Sequence, residues 1–259
     1  MIYIWKDEYP VFLDLANLIS SELDMPNEIT NDLSKEGTWI IFFESFINHR
    51  HIFEKRKYIM VQTENILESV RLDSPNLRQE YQNFLRNAYA VWDYTKNFRL
   101  GYSKYYQIQY EQSKDMDVFF YGSINPRRKH ILDQIPNLST VSATSDIKVD
   151  FFPALWNYVR RSKIVLCINY YENSNTDVIR LAPLLTNRIF FIAEKTIDPS
   201  HNNRIEYVVS DYNNIPALCK YYLENPKERL KYIESGYNYI KNNPIVLPDI
   251  YSERNINYV

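Results

Sequence analysis

The strongest candidate for chemistry is the run from Asp117 to Lys129, which reads DVFFYGSINPRRK. An apolar strand pattern ends at Gly122, and a helix pattern follows that opens with three cations. Gly122 permits a tight turn or a close approach of the backbone to a ligand, the Ser123 hydroxyl can hydrogen-bond a phosphate, and a helix N-terminus presents free N–H groups. Because cations in a first turn oppose the helix dipole, their presence indicates that an anion binds there. The alternative is an ordinary turn with solvated cations.

A second polar run follows the apolar segment Ile164–Ile168 and extends from Asn169 to Arg180, reading NYYENSNTDVIR. Thr176 is suited to cap the helix that follows, and Asp177 stands at its start. A carboxylate at the carboxyl end of a strand, such as Glu172 or Asp177, can accept hydrogen bonds from sugar or ribose hydroxyls. For both residues, a capping or loop role alone is the alternative.

Both runs belong to a repeated alternation of short apolar segments with longer amphipathic ones, which is typical of βαβ units and a parallel sheet. The predicted strands are Ile2–Trp5, Thr38–Phe43, Tyr58–Gln62, Ala88–Trp92, Met116–Tyr121, Ser139–Ser142, Ile164–Ile168, Ile189–Ala193 and Ile205–Val209. Helices are predicted at Pro10–Leu23, Leu77–Asn87, Arg127–Ile135, Phe151–Arg160, Asp177–Leu185 and Ile215–Leu223, with another from Pro226 toward Gly236.

The alternation occurs twice, on either side of a polar segment at residues 102–114. We therefore predict an α/β protein with two Rossmann-like domains that face a central cleft. The predicted domains are residues 1–110 and 111–259. In open α/β sheets ligands bind at the carboxyl ends of the strands, so the residues that follow each strand are the candidates for a site.

Composition disfavours several classes of protein. The four glycines, Gly37, Gly101, Gly122 and Gly236, are scattered, which argues against the GxGxxG loop of an NAD-dependent dehydrogenase and the Walker loop of a P-loop NTPase. With 30 Lys and Arg against 32 Asp and Glu, the chain lacks the basic surplus of a general nucleic-acid binder. Hydrophobic residues make up 45% of the chain, enough to bury a core.

Cysteines and acidic pairs give no disulfide or metal signal. Cys167 and Cys219 lie far apart, so neither a disulfide framework nor a structural zinc site is indicated. The segment Asp115–Asp117 stands at the beginning of a predicted strand instead of following one, which argues against a metal-binding DxD motif. No apolar stretch approaches the roughly 18 residues of a membrane-spanning helix. We expect a cytoplasmic protein with no transmembrane segment, no metal and no cofactor.

Three segments of the second half resemble the nucleotide-sugar-binding half of GT-B glycosyltransferases. They are Asp117–Lys129, Ile164–Glu194 and Tyr207–Tyr212, and the family's corresponding segments read like DVxFYGSxNxRR, a strand ending in NIHYYE, and ExxRLxxLLxNxxFVISE. In the first half, Val61–Asn65 looks like a strand ending in Q-x-E, and Val91–Tyr94 with Asn97 looks like a WDYSxxN element. The resemblance implies a GT-B fold, with the acceptor in the first domain and the nucleoside diphosphate in the second.

Carried over residue by residue, the resemblance implies a set of donor-binding residues. Near the diphosphate it places Gly122, Ser123 and Arg127 or Arg128; near the donor sugar or ribose Glu172, Asp177 and Arg180; near the base or ribose Glu194; and in the same set Asn125, Asn169 and Tyr171. Asn169 departs from the family pattern, which often has His there. Arginines and helix N-termini can stabilise the charge of a departing diphosphate without a metal.

The first domain offers several carboxylates that could act as the general base for the acceptor hydroxyl. They are Asp14, Glu44, Glu64 and Asp93, each at or near a predicted strand end or in the first helix. Asp93 is preferred, because it directly follows an apolar strand. Asp93 and, on the donor side, Glu172 are the predicted catalytic residues.

The sequence thus predicts an enzyme, a metal-independent glycosyltransferase that moves a sugar from a nucleotide-sugar donor to a hydroxyl of a glycan, protein or small-molecule acceptor. One alternative is a noncatalytic glycan- or nucleotide-binding protein with a degenerate GT-B fold. Another is a sugar-nucleotide epimerase, which is expected to need the glycine-rich cofactor loop that this chain lacks.

Overall fold

A computed structural model describes residues 1–6, 10–62, 72, 74–93, 101–107, 113–141 and 151–248. The chain divides into two compact units, one of Met1–Leu100 with Ile245–Val259 and one of Gly101–Pro244. The sequence predicts a domain boundary at residue 110, and the division between the units falls after Leu100.

In its described part, the first unit contains a parallel sheet of five short strands. They are β1 (Ile2–Trp5), β2 (Asn27–Thr30), β3 (Thr38–Ile41), β4 (Lys57–Gln62) and β5 (Ala90–Asp93), in the order β2-β1-β3-β4-β5. The helices are α1 (Pro10–Glu22), α2 (Phe43–Phe53) and α3 (Pro75–Asn87). Aromatic side chains fill much of the core, among them Trp39, Phe46, Tyr58, Tyr81 and Phe84. Much of the chain's aromatic content is therefore accounted for by packing.

Three elements of the first unit differ from the sequence prediction, which has neither β2 nor α2 and makes β3 longer. β2 reads NEIT and has no apolar run, because it is an edge strand that pairs with β1 and stays partly exposed. The predicted strand Thr38–Phe43 ends at Ile41, and α2 begins at Phe43. The hydroxyl of Ser45 accepts a hydrogen bond from the Phe42 backbone N–H at 3.3 Å. This contact favours the start of a helix within the apolar segment that the sequence predicts as a strand.

The second unit contains another parallel sheet, again of five strands among the residues described. They are β6 (Met116–Tyr121), β7 (Leu138–Val141), β8 (Ser162–Cys167), β9 (Phe191–Glu194) and β10 (Val208–Ser210), in the order β10-β9-β8-β6-β7. The helices are α4 (Pro126–Leu132), α5 (Phe151–Arg161), α6 (Val178–Thr186), α7 (Pro199–Asn202), α8 (Ile215–Glu224) and α9 (Pro226–Lys241). Short 3-10 turns cover Lys104–Tyr106 and Tyr212–Asn214.

The two sheets share one strand order. Counted within each unit, the strands lie in the order second, first, third, fourth, fifth, the doubly wound order of flavodoxin-like folds. The order reverses between the first and third strands, which are β1 and β3 in one unit and β6 and β8 in the other. Ligands bind at this reversal, beyond the carboxyl ends of the strands. The predicted α/β fold of two Rossmann-like domains is confirmed. Of the strands at the two reversals, β6 and β8 are followed by the polar runs predicted to bind a ligand, so their loops are the first place to look for a site.

The first and last segments of the second unit lie side by side. The Tyr102 backbone N–H donates to the carbonyl of Asn243 at 2.9 Å, and Tyr102 pairs with Pro244 in a parallel bridge. A Cβ on Gly101 would lie 2.2 Å from the Asn243 carbonyl oxygen. The two segments therefore approach too closely for any side chain at position 101.

Candidate functional site

The loop after β6 starts with a backbone conformation that favours glycine. Gly122 has φ of 129° and donates its N–H to the Val141 carbonyl at 3.1 Å. L-residues with a side chain rarely adopt this φ. The loop ends at Asn125, whose Oδ1 accepts the Arg128 backbone N–H at 2.8 Å and caps α4, while its Nδ2 donates to the Tyr170 carbonyl at 2.8 Å.

Two guanidinium groups converge on Gly122 from different helices. A Cβ built on this glycine would lie 3.3 Å from Nη2 of Arg180 and 3.4 Å from Nη1 of Arg128. Arg128 comes from α4, which follows β6, and Arg180 comes from α6, which follows β8. The topological reversal between β6 and β8 therefore places two cations beside one bare stretch of backbone.

Main-chain carbonyls and aromatic rings, not carboxylates, hold Arg128. Its Nε and Nη2 donate to the Ile168 carbonyl at 3.0 and 2.6 Å, and Nη1 donates to the Ser123 carbonyl at 2.8 Å. The guanidinium also lies over the rings of Phe120 and Tyr170, at 5.3 and 5.2 Å. The residue is 6% exposed. Burial, with the nearby charge of Arg180, lowers the pKa of Arg128 to about 10, so it remains a cation at neutral pH.

Arg180 has fewer partners still. Its side chain is 13% exposed, and its guanidinium lies over the Tyr121 ring at 4.6 Å. Its Nε lies 3.5 Å from Oδ2 of Asp177, a carboxylate that is 48% exposed. Within the part of the chain that the structure describes, the guanidinium donates no hydrogen bond. Arg180 therefore has unused donors next to Gly122.

The charges at this point are not balanced. Aromatic faces and carbonyl oxygens immobilise Arg128 and Arg180 but cancel neither charge, and Asp177 offsets the charge of Arg180 only in part because it is half exposed. A desolvated cation costs free energy unless an anion pairs with it. This arrangement can bind an anionic group through charge-assisted hydrogen bonds.

Arg127, the neighbour of Arg128, points elsewhere. Its Nη1 donates to Glu194 Oε2 and to the Asn169 carbonyl, both at 3.0 Å, and its Nη2 donates to Glu194 Oε1. The Asn169 backbone N–H donates to the same Glu194 Oε2 at 2.9 Å. The sequence groups Arg127 with Arg128 near one diphosphate. Only Arg127 contacts Glu194, although both guanidiniums donate to the Asn169 carbonyl.

The remaining predicted residues of this region lie in two neighbouring loops. Asp177 accepts the Arg180 backbone N–H at 3.2 Å and caps α6. Glu172 is exposed in the loop after β8. The ring of Tyr171 contacts the Tyr170 ring edge-on, with centroids 4.9 Å apart. Ser123 is partly buried directly after Gly122.

Sequence reasoning missed the aromatic residues that hold the arginines. Phe120, Tyr121, Tyr170 and Tyr212 contact Arg128, Arg180 or Arg127 through their rings. The available signal was position, because these rings flank Gly122, Asn169 and the end of β10.

The loops after β8 and β9 are joined to each other. The Ile197 backbone N–H donates to the Ser174 carbonyl at 3.0 Å, and the Thr176 hydroxyl donates to Asp198 Oδ2 at 3.2 Å. Thr176 therefore links two loops, whereas the sequence predicted that it caps α6, a role that Asp177 fills.

Asp93, the predicted base, belongs to the first unit. It is the last residue of β5, pairs in register with Gln62 at the end of β4, and is buried. Gln62 in turn accepts a hydrogen bond from the Tyr81 hydroxyl. Asp14 lies in α1, while Glu64 and the Glu44 side chain lie outside the described residues, as does Asn97.

Two other side chains of the second unit that could be reactive, Cys167 and His201, are buried. Burial raises the pKa of the Cys167 thiol, at the end of β8, to about 12, so it is not a thiolate nucleophile at neutral pH. His201 is buried, with its two ring nitrogens 3.0 Å from the Tyr207 hydroxyl and from the Glu194 carbonyl. Among the described residues no group of three or more His, Cys, Asp or Glu could hold a metal ion. No described helix is long and apolar enough to cross a membrane.

Comparison with known proteins bears on the fold. No family model and no curated protein matches the sequence. Among solved structures, the chain is similar to beta-glucosyltransferase, a DNA modifying enzyme determined with and without its substrate uridine diphosphoglucose, at 11% identity over 93% of this chain and 94% of that one, with a TM-score of 0.56. Accessory secretory proteins 1, 2 and 3 of Streptococcus pneumoniae match at 9% identity over 90% of this chain and 54% of that one, with a TM-score of 0.38. The chain therefore has the α/β fold of two Rossmann-like domains found in GT-B glycosyltransferases.

Proposed function

We propose that the protein is a glycosyltransferase that moves a sugar from a nucleotide-sugar donor to an acceptor hydroxyl, with the donor diphosphate bound at Gly122. The observation that carries this proposal is the nearly buried guanidinium of Arg180, which donates no hydrogen bond to any described residue and lies beside Gly122 and Arg128. The GT-B fold makes a nucleotide-sugar the first ligand to test.

A diphosphate fits the charge at this position. When the bond between sugar and phosphate breaks, negative charge develops on the departing diphosphate. Fixed cations that already point at this charge stabilise the transition state without reorganising. Arg128 and Arg180 are fixed in this way by carbonyls, rings and a capping carboxylate. Since two guanidiniums can supply the stabilising charge, we propose that the transfer needs no metal and no further cofactor.

Other residues take roles on either side of the diphosphate in the same proposal. Ser123 donates its hydroxyl to a phosphate oxygen. Glu172, exposed in the loop after β8, accepts from hydroxyls of the donor sugar. Asp93, at the carboxyl end of β5, removes the proton of the acceptor hydroxyl.

We propose a glycan, protein or small molecule as the acceptor. The similar beta-glucosyltransferase modifies DNA, but the first unit of this chain has 12 Lys and Arg against 17 Asp and Glu, a net charge of −5. Binding of a polyanion requires a basic surface. A nucleic acid is therefore a poor acceptor for this unit.

Ligand binding to purified protein tests the proposal. Thermal unfolding is followed with UDP, GDP, TDP, CMP and their sugar conjugates, with and without EDTA; a ligand at 100 times its dissociation constant stabilises the folded state by about 2.7 kcal/mol. We expect stabilisation by one nucleoside diphosphate with EDTA present, and slow hydrolysis or transfer of its sugar conjugate. Arg180→Gln should abolish the stabilisation. Arg204→Gln is the matched control, because Arg204 also lies over a tyrosine ring, that of Tyr239 at 4.5 Å, outside the site. No stabilisation by any of these ligands would contradict the proposal.

A further inference from the structure

Gly122, Arg128 and Arg180 form the proposed anion site. Arg127 and Glu194 lie at the same end of the second sheet but make a separate cluster. We infer that these two residues are positioning residues, which act through each other to hold the loops around the donor diphosphate, and that neither binds the donor. The inference rests on the proposed function and gives these two residues a different role from the one that the sequence predicts.

The hydrogen-bonding capacity of the pair is largely used within the protein. Both carboxylate oxygens of Glu194 accept hydrogen bonds, from Arg127 and from the Asn169 backbone N–H, and Glu194 is 4% exposed. Both terminal nitrogens of Arg127 donate to Glu194, and one also donates to Asn169. One face of the Arg127 guanidinium is covered by the Tyr212 ring at 4.3 Å. Arg180, by contrast, donates no guanidinium hydrogen bond to any described residue.

The pair connects the loops that follow four strands. Arg127 lies at the start of α4, after β6; Asn169 follows β8; Glu194 ends β9; and Tyr212 follows β10. The Tyr212 hydroxyl donates to the Arg127 carbonyl, and Asn169 Nδ2 donates to the Lys195 carbonyl at 2.8 Å. A change in the pair would therefore alter contacts in all four loops.

A shared hydrogen-bond acceptor links the pair of Arg127 and Glu194 to the anion site. The Asn169 carbonyl that accepts from Arg127 also accepts from Arg128 Nε at 3.3 Å, and the adjoining Ile168 carbonyl is the main acceptor of Arg128. Loss of the ion pair would release Asn169 and with it the carbonyls that hold Arg128 against Gly122. Removing one partner leaves the other charge buried without compensation, whereas removing both does not.

A double-mutant cycle separates a positioning role from a binding role. The variants are Arg127→Met, Glu194→Gln and the two combined, and the measurements are dissociation constants for inorganic pyrophosphate and UDP by calorimetry and the free energy of unfolding in urea. We expect each single change to weaken binding of pyrophosphate about tenfold and the double change to weaken it no further. We expect the double variant to unfold less readily than the sum of the single effects predicts.

The same helix provides a matched control. Lys129 and Asp133 form an exposed ion pair on α4, with Nζ and Oδ1 2.8 Å apart. Lys129→Met and Asp133→Asn should change pyrophosphate binding less than twofold. Should Arg127→Met fail to fold, Arg127→Lys and Glu194→Asp keep both charges while changing the geometry, and serve in the same cycle.

Three other results would overturn the positioning role, and the last of them would overturn the proposed function as well. If Arg127→Met weakens binding tenfold or more while Glu194→Gln leaves it unchanged or strengthens it, Arg127 contacts the anion directly and the inference is wrong. Additive effects on unfolding would also show that the pair does not act as a unit. A wild-type protein that binds neither pyrophosphate nor UDP, in the cycle or in the ligand screen, overturns the proposed function and this inference together.

Discussion

Asp177 caps the helix that carries Arg180 and also contacts the guanidinium of Arg180. Its Oδ1 accepts the backbone N–H of Arg180 at 3.2 Å, and its Oδ2 lies 3.5 Å from Nε of the same residue. One side chain thus caps α6 and contacts a guanidinium that the helix carries. Because it is a carboxylate, it also reduces the positive charge available to a ligand.

Replacing Asp177 by Asn should separate these two effects. The amide oxygen of Asn still caps a helix, so we expect little change in the free energy of unfolding, while pyrophosphate binding should strengthen about twofold to fivefold because a partly exposed opposing charge is lost. Asp177→Ala should lower stability by about 1 kcal/mol through loss of the cap. Calorimetry and urea unfolding measure both. Weaker pyrophosphate binding by Asp177→Asn would show that the carboxylate is needed to orient Arg180.

Gly122→Ala should damage the anion site. The backbone at φ of 129° disfavours any side chain, and the new Cβ would press on Arg180 and Arg128 at 3.3 and 3.4 Å. We expect a loss of about 1–3 kcal/mol in stability and at least a tenfold loss in pyrophosphate affinity. Ile124→Ala, in the same loop at a 40% exposed residue, is the control and should change neither quantity appreciably. Unchanged affinity in Gly122→Ala would place the anion elsewhere.

Gly101→Ala should destabilise the second unit. A Cβ there would lie 2.2 Å from the Asn243 carbonyl oxygen and 2.7 Å from the Pro244 carbonyl carbon, which are backbone atoms. We expect a loss of about 1–3 kcal/mol in the free energy of unfolding and faster hydrogen exchange at the Tyr102 amide.

Gly236→Ala is the matched comparison for this change. Its Cβ would meet the Leu185 Cδ2 at 2.7 Å, the end of a flexible side chain, and the Glu206 carbonyl oxygen only at 3.2 Å, so the substitution should cost less. Equal costs for the two substitutions would mean that the contact between residues 101–102 and 243–244 is not tight in solution.

His201 should make stability fall with pH below neutrality. Burial lowers the pKa of its imidazole below the ordinary value of 6.5. Above pH 6.5 it is neutral in both states, but as the pH falls below 6.5 the unfolded chain takes up the proton first and unfolding is favoured. Asp198 and Arg204 are the charged groups that act on it. His201→Gln should flatten the decline in unfolding free energy between pH 7.5 and 5.5, and His130→Gln, at an exposed residue, should leave it unchanged. Equal slopes in wild type and His201→Gln would refute the prediction.

Strands that are apolar and flanked by polar residues were predictable from the sequence. Ile2–Trp5 and Met116–Tyr121 have the predicted bounds, and most other strands and helices differ by one to three residues at their ends. β2 was not predictable, because an edge strand with two partly exposed faces needs no apolar pattern. The end of β3 was not predictable either, because buried residues continue past it into α2.

Sequence patterns alone were enough to predict the α/β alternation in two halves, the glycine after β6 and the polar loop after β8. They are also the basis for expecting an anion to bind in the second half. The same patterns could not assign the arginines. Arg127 and Arg128 are adjacent, about 100° apart on a helix, and only packing decides that one meets Glu194 and the other Ile168. Arg180 lies beside Gly122 because β8, the strand that precedes its helix, is a direct neighbour of β6 in the sheet, although β7 separates the two strands in the sequence. Contacts between residues so distant in sequence are set by strand order, which local sequence patterns do not encode.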